Sequence, residues 1–203
     1  PARTLIFSDG ACEDTGATQT VGYLVAIPRD GAPPVDPKAP PSLDVLRQYY
    51  ELHHGGASLP DDLSDALVRR KQQIGQVEII GAIAPYLSLP MDQLAGADII
   101  HFIDNTSALA ALTKGYSGVP DSARLVHTFH AWAAGAGVNV WFEYVPSAPN
   151  SADEPSRVLS LAHGPYSPAP GLTSQPCATR FPRLDSLGSP GEWIRAARRV
   201  APA

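Results

Sequence analysis

Three short apolar runs constrain the fold of this chain most strongly. They lie at 4–9, 98–103 and 138–145, and each has the length of one buried strand. Polar loops and segments with helical apolar spacing separate them. None of the runs approaches the roughly 20 residues that a membrane-spanning helix requires. The runs therefore predict an α/β fold in which buried strands form a sheet flanked by helices.

The first run begins a predicted hairpin. Residues 21–28 are expected to pair with 4–9 through a link rich in Gly, Asp and Thr. Five prolines mark residues 29–42 as an inserted loop, and residues 45–53 are predicted to be a third strand that ends at Gly55-Gly56. Hairpin strands that are followed by βα units indicate a mixed sheet with helices on its faces.

Helices are predicted from capping residues and apolar spacing. One begins after Ser58, because Asp61 and Asp62 suit the positive N-terminal end of a helix. A longer helix with one apolar face follows, and Pro85 should kink or end it. The residues of that face are Ile74, Val77, Ile80 and Ala84. Three further helices are predicted, at 106–114, at 121–134 and from about Asp153.

Composition divides the chain into two parts. Residues 1–162 are expected to form one domain and 163–203 an extension. Residues 163–190 are rich in Pro, Gly and Ser and lack periodic apolar spacing, which predicts a wrapped or mobile tail. A basic amphipathic helix is expected at 190–200, where Pro and a capping box open the segment. That helix can bind nucleic acid or dock on a protein surface.

Charge and cysteine content bear on the partners of the chain. The formal net charge is -5, whereas nucleic-acid-binding proteins usually carry a basic face. Contacts with nucleic acid must then come from local basic patches. Cys12 and Cys177 lie far apart and fit no metal-ligand spacing, so a reduced intracellular protein is expected, with a single disulfide as the alternative.

Four acids occupy settings that suit a metal site. Asp9 and Asp104 end apolar runs, Glu78 lies in an apolar-rich segment, and Asp153 follows a turn-rich loop. Carboxylates at the ends of buried strands are costly to bury unpaired. If they converge, a divalent cation is their natural partner, because hard cations such as Mg²⁺ take oxygen ligands. Taken singly, each acid can equally be solvated, and Asp104 and Asp153 can cap the helices that follow them.

The motifs around these acids resemble the ribonuclease H family, most closely the RNase H domains of retroelement reverse transcriptases. The likeness covers about residues 4–160, and 29–70 match poorly. The motifs are Asp9-Gly10, Glu78 in the first long helix, Asp104-Asn105 and Asn150-Ser151-Ala152-Asp153. The resemblance implies a five-stranded mixed sheet of order 3-2-1-4-5, with the acids meeting across its centre.

The resemblance also implies an activity, namely hydrolysis of the RNA strand of RNA–DNA hybrids. Members of the family use two Mg²⁺ or Mn²⁺ ions, which activate a water molecule and stabilise the leaving oxygen. By that pattern Asp9 would bridge both ions. Glu78 and Asp104 would share the ion on the nucleophile side, and Asp153 would hold the ion on the leaving-group side. The sequence contains no Cys or His cluster that would favour zinc.

A second set of residues is expected to contact the nucleic acid, which the family distinguishes by its 2′-hydroxyl groups. The set comprises Gly10, Ala11, Cys12, Gln73, Gln76, Asn105, Thr106 and Arg157. The chain departs from the family pattern in two places. Gly75 stands where the family often has Asn or Gln, and residues 146–152 lack the histidine that many members carry before the fourth acid.

Other residues stay open between two interpretations. His127 and His130 can bind a metal or pack half-exposed on a helix. Aromatic side chains can stack on bases or pack in the core, and these are Phe129, Trp132, Trp141 and Phe142. Basic side chains can contact phosphates or lie solvated at helix ends, and these are Arg69, Arg70, Lys71, Lys114 and Arg124.

Two further functions stay open beside the nuclease. One is a catalytically silent scaffold with an RNase H-like fold in a larger assembly, which the low net basicity and the missing loop histidine favour. The other is a nuclease or strand-transfer enzyme of the same superfamily that acts on DNA, against which the motif at 150–157 argues. The expected partners are an RNA–DNA hybrid and a reverse transcriptase or other large assembly, and no membrane.

Overall fold

A computed structural model describes residues 2–13, 18–68, 73–148, 150–157, 166–169 and 171–182. Its strands are β1 (Thr4–Glu13), β2 (Thr18–Pro28), β3 (Tyr50–Ser58), β4 (Asp98–Ile103), β5 (Asn139–Tyr144), β6 (Tyr166–Ala169) and β7 (Leu172–Pro176). Its helices are α1 (Leu43–Tyr49), α2 (Asp61–Ala66), α3 (Ile74–Ser88), α4 (Met91–Leu94), α5 (Thr106–Lys114), α6 (Pro120–Ala136) and α7 (Asp153–Arg157). Within these residues, no helix is long and apolar enough to cross a membrane.

The strands form one mixed sheet of order β5-β4-β1-β2-β3-β7-β6. β1 pairs antiparallel with β2 and parallel with β4, and β4 pairs parallel with β5. The first five strands thus lie in the order 3-2-1-4-5, which confirms the RNase H-like arrangement expected from the sequence. Since β1 and β4 are parallel neighbours, their carboxyl ends meet at one edge of the sheet, where Asp104 directly follows β4.

Two apolar clusters cover the two faces of the sheet. On one face α3 packs against β1 and β2, with Val77, Ile80 and Ile83 among its buried side chains. On the other face Phe7 stacks on Phe102 with ring centroids 4.9 Å apart, and residues of α1 and β7 join that cluster. The expectation of one apolar face on α3 is wrong, because every residue from Gln76 to Tyr86 is buried. The helix lies between the sheet and α6.

The predicted third strand at 45–53 is wrong in its bounds. Residues 43–49 form helix α1, and the strand covers Tyr50–Ser58. Ser42 caps the helix by accepting a hydrogen bond from the Val45 N–H at 3.4 Å. This cap outweighs the β-branched and aromatic composition of the segment, which favours a strand. The strand does not end at Gly55-Gly56 but continues through both glycines. Only glycine fits at position 56, because Pro155 lies directly against the strand there. A Cβ on Gly56 would lie 2.3 Å from the Pro155 carbonyl oxygen.

Two other expectations concern the second half of the chain. Of the two outcomes expected at Pro85, an end of the helix is wrong, since the helix continues to Ser88, where burial on all sides outweighs one lost hydrogen bond. In the tail that was expected to be wrapped or mobile, β6 and β7 form a hairpin, and β7 pairs with β3. The helix expected at 190–200 lies outside the described residues.

Candidate active site

Two glycines bring α3 into direct contact with the end of β1. A Cβ on Gly10 would lie 2.8 Å from the Glu78 main-chain nitrogen, and a Cβ on Gly81 would lie 2.7 Å from the Asp9 carbonyl oxygen. Real Cβ atoms do not approach other atoms so closely, so only glycine fits at these positions. Because Gly10 and Gly81 have no side chains, α3 lies close enough to β1 for Glu78 to reach Asp9.

Three of the predicted acids converge at this contact. The carboxylates of Asp9, Glu78 and Asp104 each present an oxygen, and these oxygens lie within 4.8 Å of one another. Asp9 is 6 % exposed and Glu78 is 5 % exposed, whereas Asp104 is half-buried. We call these three residues the acid cluster. They come from β1, from α3 and from the residue after β4, so the fold alone brings them together.

The acid cluster strongly perturbs its own ionisation. Burial, together with the charges of Asp9 and Asp104, raises the pKa of Glu78 to about 9, although the hydrogen bond from the Gly10 N–H at 3.1 Å lowers it. Burial likewise raises the pKa of Asp9 to about 6, while a hydrogen bond from Ser156 opposes the increase. Three carboxylates held this close need a positive partner to be ionised together.

The donor atoms of the cluster suit a hard divalent cation. Among the described residues, Oδ1 of Asp104 is buried and has no hydrogen-bond partner. A buried carboxylate oxygen without a partner is costly, and a cation would remove that cost. All three side chains offer oxygen, which matches Mg²⁺ or Mn²⁺ better than zinc. The residues present therefore fit a divalent metal ion.

Asp153, the fourth predicted acid, lies outside the three-residue group. It is the first residue of α7, and its Oδ1 accepts hydrogen bonds from Nε and from a terminal nitrogen of Arg157, both at 2.9 Å. Its charge nevertheless contributes to the raised pKa of Asp9, so it belongs to the same electrostatic site. The structure thus brings three acids together and leaves the fourth beside them in an ion pair.

Asn150 holds the loop that carries Asp153. Its Nδ2 donates to the Ser8 carbonyl oxygen at 3.1 Å, and its Oδ1 accepts from the Ala152 N–H at 3.1 Å. Ser8 precedes Asp9, so one buried amide ties this loop to the strand end that bears the first acid. This contact gives a physical reason for an Asn three residues before the last acid of the motif.

The predicted nucleic-acid contacts divide into two groups. Near the end of β1, Ala11 and Cys12 are half-buried, and the Gly10 N–H is used by Glu78. At the start of α3, Gln73 accepts a hydrogen bond from Gln19 at 2.7 Å. These side chains lie beside the acid cluster, and burial together with the Glu78 charge raises the pKa of the Cys12 thiol.

The second group lies along α3, α5 and α7. Gln76 is buried and donates to Asp121 at 3.1 Å, so it presents little surface to a ligand. Asn105 is half-buried, whereas Thr106 and Arg157 are exposed. A cavity of about 260 Å³ opens between α3, α5 and α6, and Gly75, Gln76 and Asn105 line it.

The cap of α5 is Asn105 and not Asp104, so the capping alternative for Asp104 is wrong. Oδ1 of Asn105 accepts from the Ser107 and Ala108 N–H groups, both at 3.0 Å. The same side chain also lowers the pKa of Glu78 by hydrogen bonding, although this effect is smaller than burial. Asn105 therefore fixes the start of α5 and leaves the Asp104 carboxylate to the acid cluster.

The residues with two open interpretations are placed as follows. Phe129 is buried in the apolar cluster that includes α3, and Trp132 and Phe142 pack against that apolar cluster. Trp141 is 55 % exposed. His130 lies 2.8 Å from the Leu112 carbonyl oxygen, and His127 is exposed. Lys114 and Arg124 are exposed at the surface, and residues 69–71 lie outside the described residues. Cys12 and Cys177 are free thiols, so the disulfide alternative does not hold.

The sequence analysis missed two buried polar groups near the acids. Ser156 donates to Asp9 Oδ2, and its only sequence signal is its position three residues after Asp153. His101 is fully buried between Ser8 and Tyr86, with both contacts at 2.8 Å. Burial lowers the pKa of His101 to about 3, so it remains neutral and cross-links β1, β4 and α3.

Proteins similar to this chain are found among solved structures. No family model matches the chain, and no curated protein matches it in sequence. Among solved structures, it is similar to RNase H1 from the archaeon Halobacterium salinarum, with 18% identity and a TM-score of 0.47 over 78% of this chain and 98% of that one. It is also similar to the N-terminal RNase H domain of a Mycobacterium tuberculosis protein solved as a fusion with maltose-binding protein, with 13% identity and a TM-score of 0.46 over 80% and 96% of the two chains.

A third similar structure is LC9-RNase H1, a type 1 RNase H with the type 2 active-site motif. It shares 15% identity with a TM-score of 0.46, over 98% of this chain and 86% of that one. Similarities of this size carry no information on activity, and the fold assignment rests on the strand order of the chain itself. The chain has an RNase H-like fold, and its particular likeness to retroelement domains stays a prediction.

Proposed function

We propose that this protein is a metal-dependent endonuclease that cuts the RNA strand of RNA–DNA hybrids. The observation that carries the proposal is the convergence of Asp9, Glu78 and Asp104 on one point, where a buried Asp104 oxygen has no hydrogen-bond partner among the described residues. Structural carboxylates rarely collect in this way unless they are neutralised. The strand order supports the proposal, because β1 and β4 are parallel neighbours and Asp104 directly follows β4.

The acid cluster would hold the first cation. A bound Mg²⁺ or Mn²⁺ supplies an activated water molecule and stabilises the developing charge on the leaving oxygen. The protein supplies the oxygen ligands, and the contacts at Gly10 and Gly81 fix the distance between β1 and α3.

Asp153 would complete a site for a second cation. Its partner Arg157 is largely exposed, with a side-chain accessibility of 60%, and an exposed ion pair contributes little stability. Arg157 can therefore turn towards a phosphate and release Asp153. The number of ions stays part of the proposal, as do the roles of Gly10, Ala11, Cys12, Gln73 and Asn105 as contacts to the hybrid.

The substrate would approach along the edge of the sheet that carries the acids. The net charge of -5 means that the whole molecule repels a polyanion, so local contacts and the bound cations must provide the attraction. The cavity beside Asn105 and the exposed Thr106 offer hydroxyl and amide groups that suit a sugar–phosphate backbone.

Cleavage of a labelled RNA–DNA hybrid in the presence of Mg²⁺ tests this proposal. We expect the natural protein to cut the RNA strand and Asp104→Asn to be at least about 100-fold slower, because the variant loses an ion ligand. Asp98→Asn is the matched control, since Asp98 is exposed at the other end of β4 and should leave the rate unchanged. Equal cutting by Asp104→Asn would refute the assigned site.

A silent scaffold is the second candidate function. The ion pair of Asp153 with Arg157 favours it, because one predicted ligand already has a partner. The same assay separates the two functions. A scaffold whose acids no longer catalyse would cut no hybrid, either as the natural protein or as Asp104→Asn. Duplex DNA as a further substrate tests the remaining alternative of a DNA nuclease. Association with a reverse transcriptase and an intracellular location stay predictions.

A further inference from the structure

Ser156 is a buried hydroxyl that connects two of the proposed ligands. Its side chain is 0 % exposed, and Oγ is within hydrogen-bonding distance of Asp9 Oδ2 and lies 2.8 Å from the Asp153 carbonyl oxygen. A hydroxyl group has a single proton, so it donates to only one of these acceptors at a time. The ionised carboxylate is the stronger acceptor, so the proton belongs mainly to the bond with Asp9.

The backbone around Ser156 is held independently of the acids. A Cβ on Gly22 would lie 2.1 Å from the Ser156 main-chain nitrogen, so α7 rests directly on β2. The Ser156 N–H also donates to the Ala152 carbonyl oxygen at 3.1 Å, and Asn150 ties the same loop to β1. The hydroxyl is therefore presented to Asp9 from a rigid frame.

We propose that Ser156 is a positioning residue that fixes the orientation of the Asp9 carboxylate so that it shares a cation with Glu78 and Asp104. The inference rests on the proposed function, because it assumes that the acid cluster binds a cation. An aspartate side chain rotates about two bonds and loses this freedom when its carboxylate binds an ion. A hydrogen bond from a rigid hydroxyl removes that freedom beforehand, and groups that orient metal ligands in this way contribute to affinity.

Titration of the full chain with Mn²⁺, without nucleic acid, tests the role of Ser156. Free Mn²⁺ is measured by electron paramagnetic resonance at one fixed pH. We expect Ser156→Ala to weaken Mn²⁺ binding about 10-fold. Ser156→Cys introduces a slightly larger side chain that is a weaker donor, so it should show a similar loss without leaving a cavity. Each variant is first checked for a cooperative melting transition.

Ser174→Ala is the matched control. Ser174 is also a buried serine bonded to a polar side chain, since its Oγ lies 2.8 Å from His54 Nδ1, but it belongs to β7 and is not part of the acid cluster. Loss of the Ser174 hydroxyl should lower the melting temperature and leave the Mn²⁺ affinity unchanged. Equal weakening by Ser174→Ala would show a general effect of stability and would overturn the inference.

The outcomes separate the inference from the proposed function. If the natural protein binds Mn²⁺ and Ser156→Ala binds it equally well, Ser156 does not position Asp9 and only the inference fails. If both Ser156 variants bind Mn²⁺ more tightly, the hydroxyl competes with the cation, which also overturns the inference. If the natural protein does not bind Mn²⁺, the metal site itself is absent and the proposed function fails with it.

Discussion

Glu78 is the residue whose charge depends most on a bound cation. With a pKa of about 9, its carboxyl group is mostly protonated at neutral pH in the metal-free protein. A metal ligand must be ionised, so binding of a cation has to displace this proton. The sequence identified Glu78 as a candidate ligand but did not indicate that its pKa is raised. Glu78 becomes buried beside the other acids only when β1, α3 and β4 come together in the fold.

The pH dependence of stability follows from the same residue. The folded pKa of Glu78 lies above the ordinary value of 4.5, so between about pH 4.5 and 9 the folded protein binds a proton that the unfolded chain has lost. Stability should therefore fall as pH rises through this window. We expect the melting temperature of the metal-free protein to fall by about 5 °C or more from pH 5 to pH 9.

Glu78→Gln provides the comparison for this prediction, because glutamine keeps the shape and cannot ionise. Thermal unfolding with a chelator present should show a distinctly smaller decrease in melting temperature for the variant over the same pH range. Parallel decreases in the two proteins would mean that Glu78 ionises normally in the fold. That result would contradict the tightly packed acid cluster described here.

Helix α3 is the element that assembles the site. Its position depends on Gly81, whose Cβ would meet the Asp9 carbonyl oxygen at 2.7 Å. The sequence predicted the helix and placed Glu78 on it, but it did not show that the helix is buried on all sides or that it continues past Pro85. Those features come from packing against α6 and the sheet, which local apolar spacing does not reveal.

Alanine at two positions of α3 tests its close packing. Gly81→Ala should destabilise the protein by about 2–4 kcal/mol, because the new methyl group forces the helix away from β1. Gly75→Ala is the matched control on the same helix, since a Cβ there meets nothing within 4 Å. The control should be neutral or stabilising by about 0.5–1 kcal/mol. Urea unfolding measures both, and similar values for the two variants would contradict the packing of α3.

At the scale of the whole molecule, the resemblance predicted the five-strand order and the convergence of four acids, of which three lie within 4.8 Å of one another. It did not predict the β6–β7 hairpin. The segment at 163–190 lacks apolar periodicity, and the pairing of His53 with Gln175 joins strands that lie more than a hundred residues apart. The ion pair of Asp153 with Arg157 follows from their i,i+4 spacing on α7, but the resemblance did not indicate that Asp153 would lie outside the acid cluster.

The central claim is that this fold gathers carboxylates into a divalent-cation site, and a crystal soaked in Mn²⁺ tests it most directly. Anomalous diffraction locates Mn²⁺ without reference to activity. The account predicts a strong peak within coordination distance of Asp9, Glu78 and Asp104, and a second peak beside Asp153 if two ions bind. A well-ordered acid cluster with no peak, or Mn²⁺ bound only elsewhere on the protein, would contradict the account.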